Sequence, residues 1–294
     1  MTTLKDRLLL LLLTIWVGFV LSSCSSIQLA YNQSDYLLKW WLDDYINLTD
    51  EQEKIFDQAL PLLTKKHRQE ELPKSRQGLQ QIRHKLDQAI SEEDAILVVQ
   101  KVKFLSKESI YLAQDDLAKL AVTLQPKQLV HLENTFNKLN KKFQSDYLKG
   151  SPEDRLNKRV EKIIERTESF SGDLSKSQKL QLKEIAKENL LDMQLVYEAR
   201  LYKQQLILNS LRKISSEQPS IVQTKAILTQ LFNDIEFGTT PEQKEFEKKR
   251  DVRSGIILAK TTALFNQSQR KKTQEKIKSW EDDLQVLAQQ KSKD

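Results

Sequence analysis

Glycine and proline are scarce, six of each in 294 residues, which is roughly 4% of the chain where about 12% is usual. Tight hairpins, glycine-rich phosphate loops and many short strands all need positive φ and turn chemistry every few residues. Their shortage excludes β-sandwiches, barrels and nucleotide-binding α/β folds. Aromatic residues make up only 7% of the chain, histidine occurs three times and cysteine once, so no intramolecular disulfide can form. Charge is what the chain has in quantity: 30% of its residues are charged, with 47 Lys and Arg against 41 Asp and Glu for a net +6, beside 39% hydrophobic residues. That balance predicts long amphipathic helices with wide solvated faces. The expected fold is all-α, an elongated antiparallel multi-helix bundle with no sheet.

The amino terminus reads as an address. Lys5 and Arg7 precede the apolar run from Leu8 to Leu21, 14 residues long, whereas about 20 are needed to span a bilayer as a helix. This is the pattern of a secretory signal rather than a membrane anchor. It ends in Leu21-Ser22-Ser23-Cys24, which resembles the lipobox of bacterial lipoproteins. The resemblance implies cleavage after residue 23, acylation of Cys24 and attachment to a membrane through the acyl chains, two or more of which make a stable anchor. Ser25 rather than Asp follows the cysteine, which by the sorting rule of that class implies the periplasmic leaflet of the outer membrane over retention at the inner one. Residues 24–33 are expected as a lipidated tether and 34–294 as a single helical domain, with Lys149-Gly150-Ser151 the candidate point of subdivision.

Helix starts recur along the rest. Leu48-Thr49-Asp50-Glu51-Gln52 is a capping box, in which the threonine and the third helical residue each satisfy a free backbone N–H of the other. The same arrangement returns at Leu174-Ser175-Lys176-Ser177-Gln178 and Thr239-Thr240-Pro241-Glu242-Gln243, and in weaker form at Leu124-Gln125-Pro126-Lys127-Gln128 and Phe265-Asn266-Gln267-Ser268-Gln269. Their gaps are irregular, unlike those of a solenoid. Ser34 is expected to cap a first helix from Asp35 to about Ile46. Pro61 should kink the second helix and Pro73 should end its continuation near Leu72. Ser91 with Asp94 opens a helix running through Leu117, and Ser151-Pro152-Glu153 opens one that Gly172 closes. Ser177 to about Ile214 contains no breaker and predicts a rod about 57 Å long. Gly78 and Gly255 fall inside predicted helices without a local reason.

Catalytic chemistry has little to work with. There is no nucleophile elbow and no phosphate loop. His67 and Glu71, four apart on a helix, could supply half a metal site, but charge pairing explains them as well. The pairs Asp43-Asp44 and Asp115-Asp116 read as solvated faces. A non-enzyme with no metal and no cofactor is expected. Basic clusters at Lys65-Lys66-His67-Arg68, Lys248-Lys249-Arg250 and Arg270-Lys271-Lys272 could face nucleic acid, which export argues against; phospholipid head groups or peptidoglycan carboxylates suit them better, and a solvated surface, its field diluted by Glu70, Glu71, Glu245 and Glu247, suits them best. Trp40 and Trp41 point about 100° apart on a helix. Either one fills the core while the other meets a partner or the membrane interface, or both pack between two helices.

Tyr31-Asn32 before Trp40-Trp41-x-Asp43-Asp44-Tyr45, the Leu48-Thr49-x-x-Gln52 start, and His67-Arg68-Gln69-Glu70-Glu71-Leu72-Pro73 together resemble an uncharacterised family of bacterial lipoproteins, domain-of-unknown-function family 6279. The lipobox and the closing Gln269-Arg270 to Leu284 segment fit it too, while Gln33 stands where that family usually has Arg. The resemblance implies an address and a helical fold and names no activity. A second, more local resemblance is to periplasmic stress chaperones whose helices begin Leu-Thr-x-x-Gln; these are much shorter than this chain. The expectation is a lipid-anchored, non-enzymatic scaffold or binding module of the cell envelope, with a chaperone role for unfolded clients as the alternative and an envelope hydrolase third. Tyr31, Asn32, Trp40, Trp41, Asp44, Tyr45, His67, Arg68 and Glu71 are its candidate contacts for an envelope protein or peptidoglycan.

Overall fold

The computed structural model describes residues 26–290. The signal segment and the Leu21-Ser22-Ser23-Cys24 motif lie outside those residues. The described chain is an all-α, antiparallel helical bundle with no strand. No described helix is long and apolar enough to cross a membrane.

The first half comprises α1 (Ser26–Asn32), α2 (Ser34–Ile46), α3 (Asp50–Lys66), a π-turn (His67–Glu71), α4 (Leu72–Lys85), α5 (Glu92–Leu112), α6 (Gln114–Ala121) and α7 (Pro126–Phe143), which ends in a second π-turn (Gln144–Leu148). The second half comprises α8 (Pro152–Ser171), α9 (Lys176–Asn189), α10 (Met193–Glu217), α11 (Ile221–Phe237), α12 (Pro241–Ala263) and α13 (Gln267–Gln289). Its long-range pairings are nested: α4 lies on α13, α5 on α12, α6 on α11 and α7 on α10. The pairs are antiparallel, since Arg83 meets Glu281 while Asp87 meets Gln274, and Asn140 meets Gln204 while Glu133 meets Arg212.

One plan is used twice. Within the halves, α2 packs on α7 and α3 on α6, just as α8 packs on α13 and α9 on α12. Between them, α4 on α13 and α5 on α12 match α10 on α7 and α11 on α6. Each six-helix unit therefore lends its third and fourth helices to the other. Three of the four hydrophobic clusters draw residues from both sides of Lys149-Gly150-Ser151: Leu124, Phe136 and Leu208 in one, Leu86, Ala95 and Ile277 in another, Ala118, Ile214 and Leu228 in a third. That turn joins two repeats whose cores are shared.

The helix starts hold the plan together. Gln52 Oε1 accepts from the Thr49 N–H at 3.0 Å and Gln128 Oε1 from the Gln125 N–H at 3.0 Å. The two amides then bond reciprocally, at 3.0 and 2.7 Å, and reach the ends of the preceding helices at Thr123 O and Asn47 O. In the second half Gln178 and Gln269 repeat every contact: their own Ser175 and Asn266 N–H groups, each other at 2.7 and 3.2 Å, and the carbonyls of Leu264 and Asp173. Leu48, Leu124, Leu174 and Phe265, each just before a box, pack into the cores, the staple that fixes how the chain enters a helix. Burying Gln52, Gln128 and Gln269 costs little because each amide is nearly saturated with partners.

Several expectations are corrected. The stretch expected as a tether holds helix α1, whose Gln28 amide donates to Asp283 of α13 at 2.8 Å. Ser34 caps nothing, for Gln33 already sits at the helix start and the backbone runs on almost unbroken from α1 to α2. Pro73 ends no helix: the π-turn widens the backbone just before it, Leu72 N–H reaching back to His67 O, so the missing N–H of Pro73 falls at the first turn of α4, where it does no harm. The helix from Ser91 stops at Leu112 and restarts at Gln114. The rod expected from Ser177 to Ile214 is two helices, broken at residues 190–192. Asp192 caps the second by accepting from Gln194 N–H, and Arg159 of α8 donates to the half-buried Leu191 carbonyl at 2.8 Å. Gly255 is explained by a close crossing: a Cβ there would lie 2.5 Å from Ile96 Cγ1 and 2.8 Å from the Ile96 backbone.

Candidate functional site

The sequence-derived contact residues fall into two groups. The first forms where α1 meets the π-turn. The widened backbone at residues 67–71 turns His67 toward α1 and α5, where Tyr31 Oη lies 3.0 Å from His67 Nδ1 and Ser109 Oγ lies 3.3 Å from Nε2. Ser109 Oγ donates to the Leu105 carbonyl at 3.1 Å. The directions then follow: Tyr31 donates to Nδ1, and Nε2–H donates to Ser109, which passes its own proton to the backbone. A histidine that donates to the serine is not that serine's base, so the chain of bonds is a strut tying α1, the π-turn and α5. Burial holds the His67 pKa below its usual value, with Glu71 pulling the other way. Burial raises the Tyr31 phenol, and Arg68 opposes it. Arg68 spans the same corner, its guanidinium 5.4 Å from the Tyr31 ring centre and Nη2 donating to Asn32 Oδ1 at 3.1 Å. Glu71 is buried and accepts from Lys74 at 2.8 Å. Among the described residues no three His, Cys, Asp or Glu side chains gather as metal ligands do.

The second group lies along α2. Ile46, Leu42 and Tyr45 face α7, where Tyr45 meets Phe136 edge to face at 6.2 Å. Asp44 contributes its carbonyl, which accepts from His131 Nε2 at 3.0 Å. The opposite face carries Tyr36, Leu37, Trp40 and Trp41 into solvent. Trp40 is 60% and Trp41 52% exposed, so neither fills the core nor packs between helices, contrary to both expectations. Trp41 leans on Tyr45 at 4.7 Å. Local pattern misled here because four apolar residues at helical spacing normally mark a buried stripe, whereas only tertiary packing decides which stripe is covered.

The repeat supplies a control for this surface. Counted back from the positive-φ caps Asn47 and Gly172, the positions equivalent to Tyr36, Leu37, Trp40 and Trp41 are Glu161, Lys162, Glu165 and Arg166, all likewise exposed on α8. The fold therefore accepts full charge at these four positions. The inward contacts are alike in kind, Phe170 of α8 meeting Trp280 of α13 edge to face as Tyr45 of α2 meets Phe136 of α7. The bundle therefore does not require aromatic residues on the outer face of α2.

Other expected groups are absorbed into structure. Asp43 accepts from Leu48 N–H at 2.8 Å, Asp115 pairs with Lys225 and Asp116 with Lys119. The basic clusters are diluted as Lys249 pairs with Glu245, Arg250 with Glu247 and Lys271 with Glu275. Ser109, His131 and Phe136 join the site without any sequence signal, because each lies far along the chain from what it touches.

The class defined by this architecture is an all-α bundle of two interleaved six-helix repeats with an aromatic face on one of them. The chain belongs to the family of unknown function DUF6279, whose family model matches residues 44–236. That span holds Asp44, Tyr45, the Gln52 box and the His67 to Pro73 motif; Tyr31, Asn32, Trp40, Trp41 and the closing segment from Gln269 lie beyond it. No curated protein and no solved structure matches the chain.

Proposed function

We propose that this protein is a non-enzymatic binding module of the cell envelope, tethered by acyl chains on Cys24 to the periplasmic leaflet of the outer membrane, that presents the outer face of α2 to an envelope protein. The observation that carries this reading is the contrast between Tyr36, Leu37, Trp40 and Trp41 on α2 and their charged counterparts on α8, all of them exposed. Exposed aromatic clusters on a rigid helix have the composition of interface hot spots. The lipobox supports the tether: Tyr36 lies twelve residues beyond Cys24 in sequence, which keeps the aromatic face close to the anchored end of the chain.

Two measurements test the halves of the proposal separately. Mass spectrometry of the mature protein should find Cys24 as the first residue and carrying acyl mass; retained upstream residues would remove the tether. A photocrosslinker at Trp40 should capture a defined envelope protein, and one at Glu165 should not. Equal capture from both positions would remove the docking face.

A chaperone role is the second reading, favoured by further exposed apolar side chains at Leu62, Leu180 and Val222. It requires that the chain from Ser25 onward suppress aggregation of a denatured client at near-stoichiometric ratios, and that it do so less well when those three residues are made polar.

A further inference from the structure

Where α8 passes the break between α9 and α10, the surface opens into a cavity of about 550 Å³ whose lining includes Arg155, Arg159, Lys187 and Arg253. Among the described residues Asp192 is the one acidic residue on its wall. Its carboxylate accepts from the Gln194 N–H as the cap of α10. Among the described residues, none of the four cations makes an ion pair with a carboxylate, whereas Lys203, Lys225 and Arg83, elsewhere between helices, all do. Arg155 gives one N–H to Leu148 O at 3.1 Å and Arg159 one to Leu191 O at 2.8 Å. A guanidinium has five N–H donors in a fixed fork, so both retain donors for a ligand. Burial pulls the Arg159 pKa down and Asp192 offsets it only in part, the sign of a half-buried cation short of negative charge. A concave wall of one sign focuses the field and draws in counter-ions.

The first repeat again supplies the control. Positions equivalent to Arg155, Arg159 and Lys187, counted from the caps Asn47 and Gly172 and from Gln52 and Gln178, are Ala30, Ser34 and Pro61, and α6, the shorter counterpart of α12, does not extend to the position of Arg253. None of these residues of the first repeat is charged. The shared plan needs no cation at this place, and four have been gathered there from α8, α9 and α12.

We propose that this cavity is a phosphate-binding site, taking a phosphorylated small molecule or the head group of an anionic phospholipid. Three guanidinium groups and one ammonium against a single carboxylate suit a dianion with several acceptor oxygens, because guanidinium forks bind phosphate oxygens in pairs. A cavity of this size holds more than phosphate alone. The site is independent of the acyl tether and of the α2 face.

The test uses the chain from Ser25 to Asp294, which contains every described residue. Calorimetric titration with inorganic phosphate, at ionic strength held constant with chloride, should give saturable binding with one site. Arg253→Gln should weaken it at least tenfold, since Arg253 makes no hydrogen bond or ion pair that the fold depends on; Lys271→Gln, an exposed cation elsewhere, should leave it unchanged, with circular dichroism checking that both variants are folded. Vesicles of phosphatidylglycerol against phosphatidylcholine separate the sources: binding that inorganic phosphate competes away and Arg253→Gln abolishes identifies the head group, and vesicle binding indifferent to both identifies a soluble phosphate compound. Absence of saturable phosphate binding, or equal affinity in Arg253→Gln, overturns the proposal.

Discussion

The two repeats share a frame and differ on their surfaces. Both keep an apolar residue before each box, a reciprocal glutamine pair, a positive-φ cap after the first long helix and an edge-to-face aromatic contact beneath it. The first then lays out aromatic residues on α2 and closes its groove with the Tyr31, His67 and Ser109 strut; the second lays out charge on α8 and leaves its groove open and cationic. What is common to both halves specifies folding. What only one half carries is free of that demand, and it is there that binding surfaces should be sought.

The comparison is broken most severely at the frame. Gln52→Leu removes the acceptor for a capped N–H and strands both its amide partner and Thr123 O in a site where Gln52 and Gln128 are each 1% exposed. With a lost cap costing ~1 kcal/mol and each stranded buried group ~1–3 kcal/mol, we expect a loss of about 3 kcal/mol by urea unfolding. Gln178→Leu, in the less buried second pair, should cost less; a larger loss there would show that the two junctions are not equivalent. Gly255→Ala comes next, because overpacking against backbone costs ~1–3 kcal/mol and a Cβ at Gly255 meets the Ile96 backbone at 2.8 Å. A stabilised Gly255→Ala protein would mean that α5 and α12 are free to separate.

His67 gives a gentler effect with a definite sign. Its folded pKa lies below the ordinary value of 6.5, so the unfolded chain binds a proton first as pH falls. Its neutral form costs the fold nothing above that value; below about 6.5 stability should decline until the folded pKa is passed. His67→Gln should flatten that part of the pH profile, and a profile unchanged by the substitution would show that the strut does not hold α1. The smallest effect on stability, and the sharpest on binding, is expected from giving α2 the residues of α8. Trp40→Glu with Trp41→Arg should shift unfolding by less than ~0.5 kcal/mol, as exposed substitutions do, while abolishing capture of an envelope partner. A large loss of stability would return those tryptophans to the fold.

Much of this was legible along the chain. The scarcity of glycine and proline gave the fold class, and every proposed capping box forms, since a box is closed within four residues. Where sequence reading failed, the deciding contact was distant. Residues 190–192 carry no breaker, yet Arg159 from the preceding hairpin arm fixes the break. Pro73 is a breaker, yet the π-turn accommodates it. Gly255 has no meaning until α5 is laid across it.

The candidate site divides in the same way. Tyr31, Asn32, His67 and Arg68 were grouped by sequence and the fold does bring them together. The tryptophans were recognised, but the sequence placed at least one of them inside and the structure leaves both on the outer face. Arg155, Arg159, Lys187 and Arg253 went unnoticed, being scattered single cations among 47 Lys and Arg.

Local chemistry thus determined where helices begin, because capping pairs atoms only a few bonds apart. It determined the all-α class as well, because turn residues cannot be borrowed from elsewhere. Only the tertiary structure decided that the third and fourth helices of each repeat cross to the other. It alone covered one stripe of α2 and left the other bare, and it alone gathered four cations round one cavity. Those outcomes depend on which surfaces meet after long loops close, and no window of sequence contains both sides of such a contact.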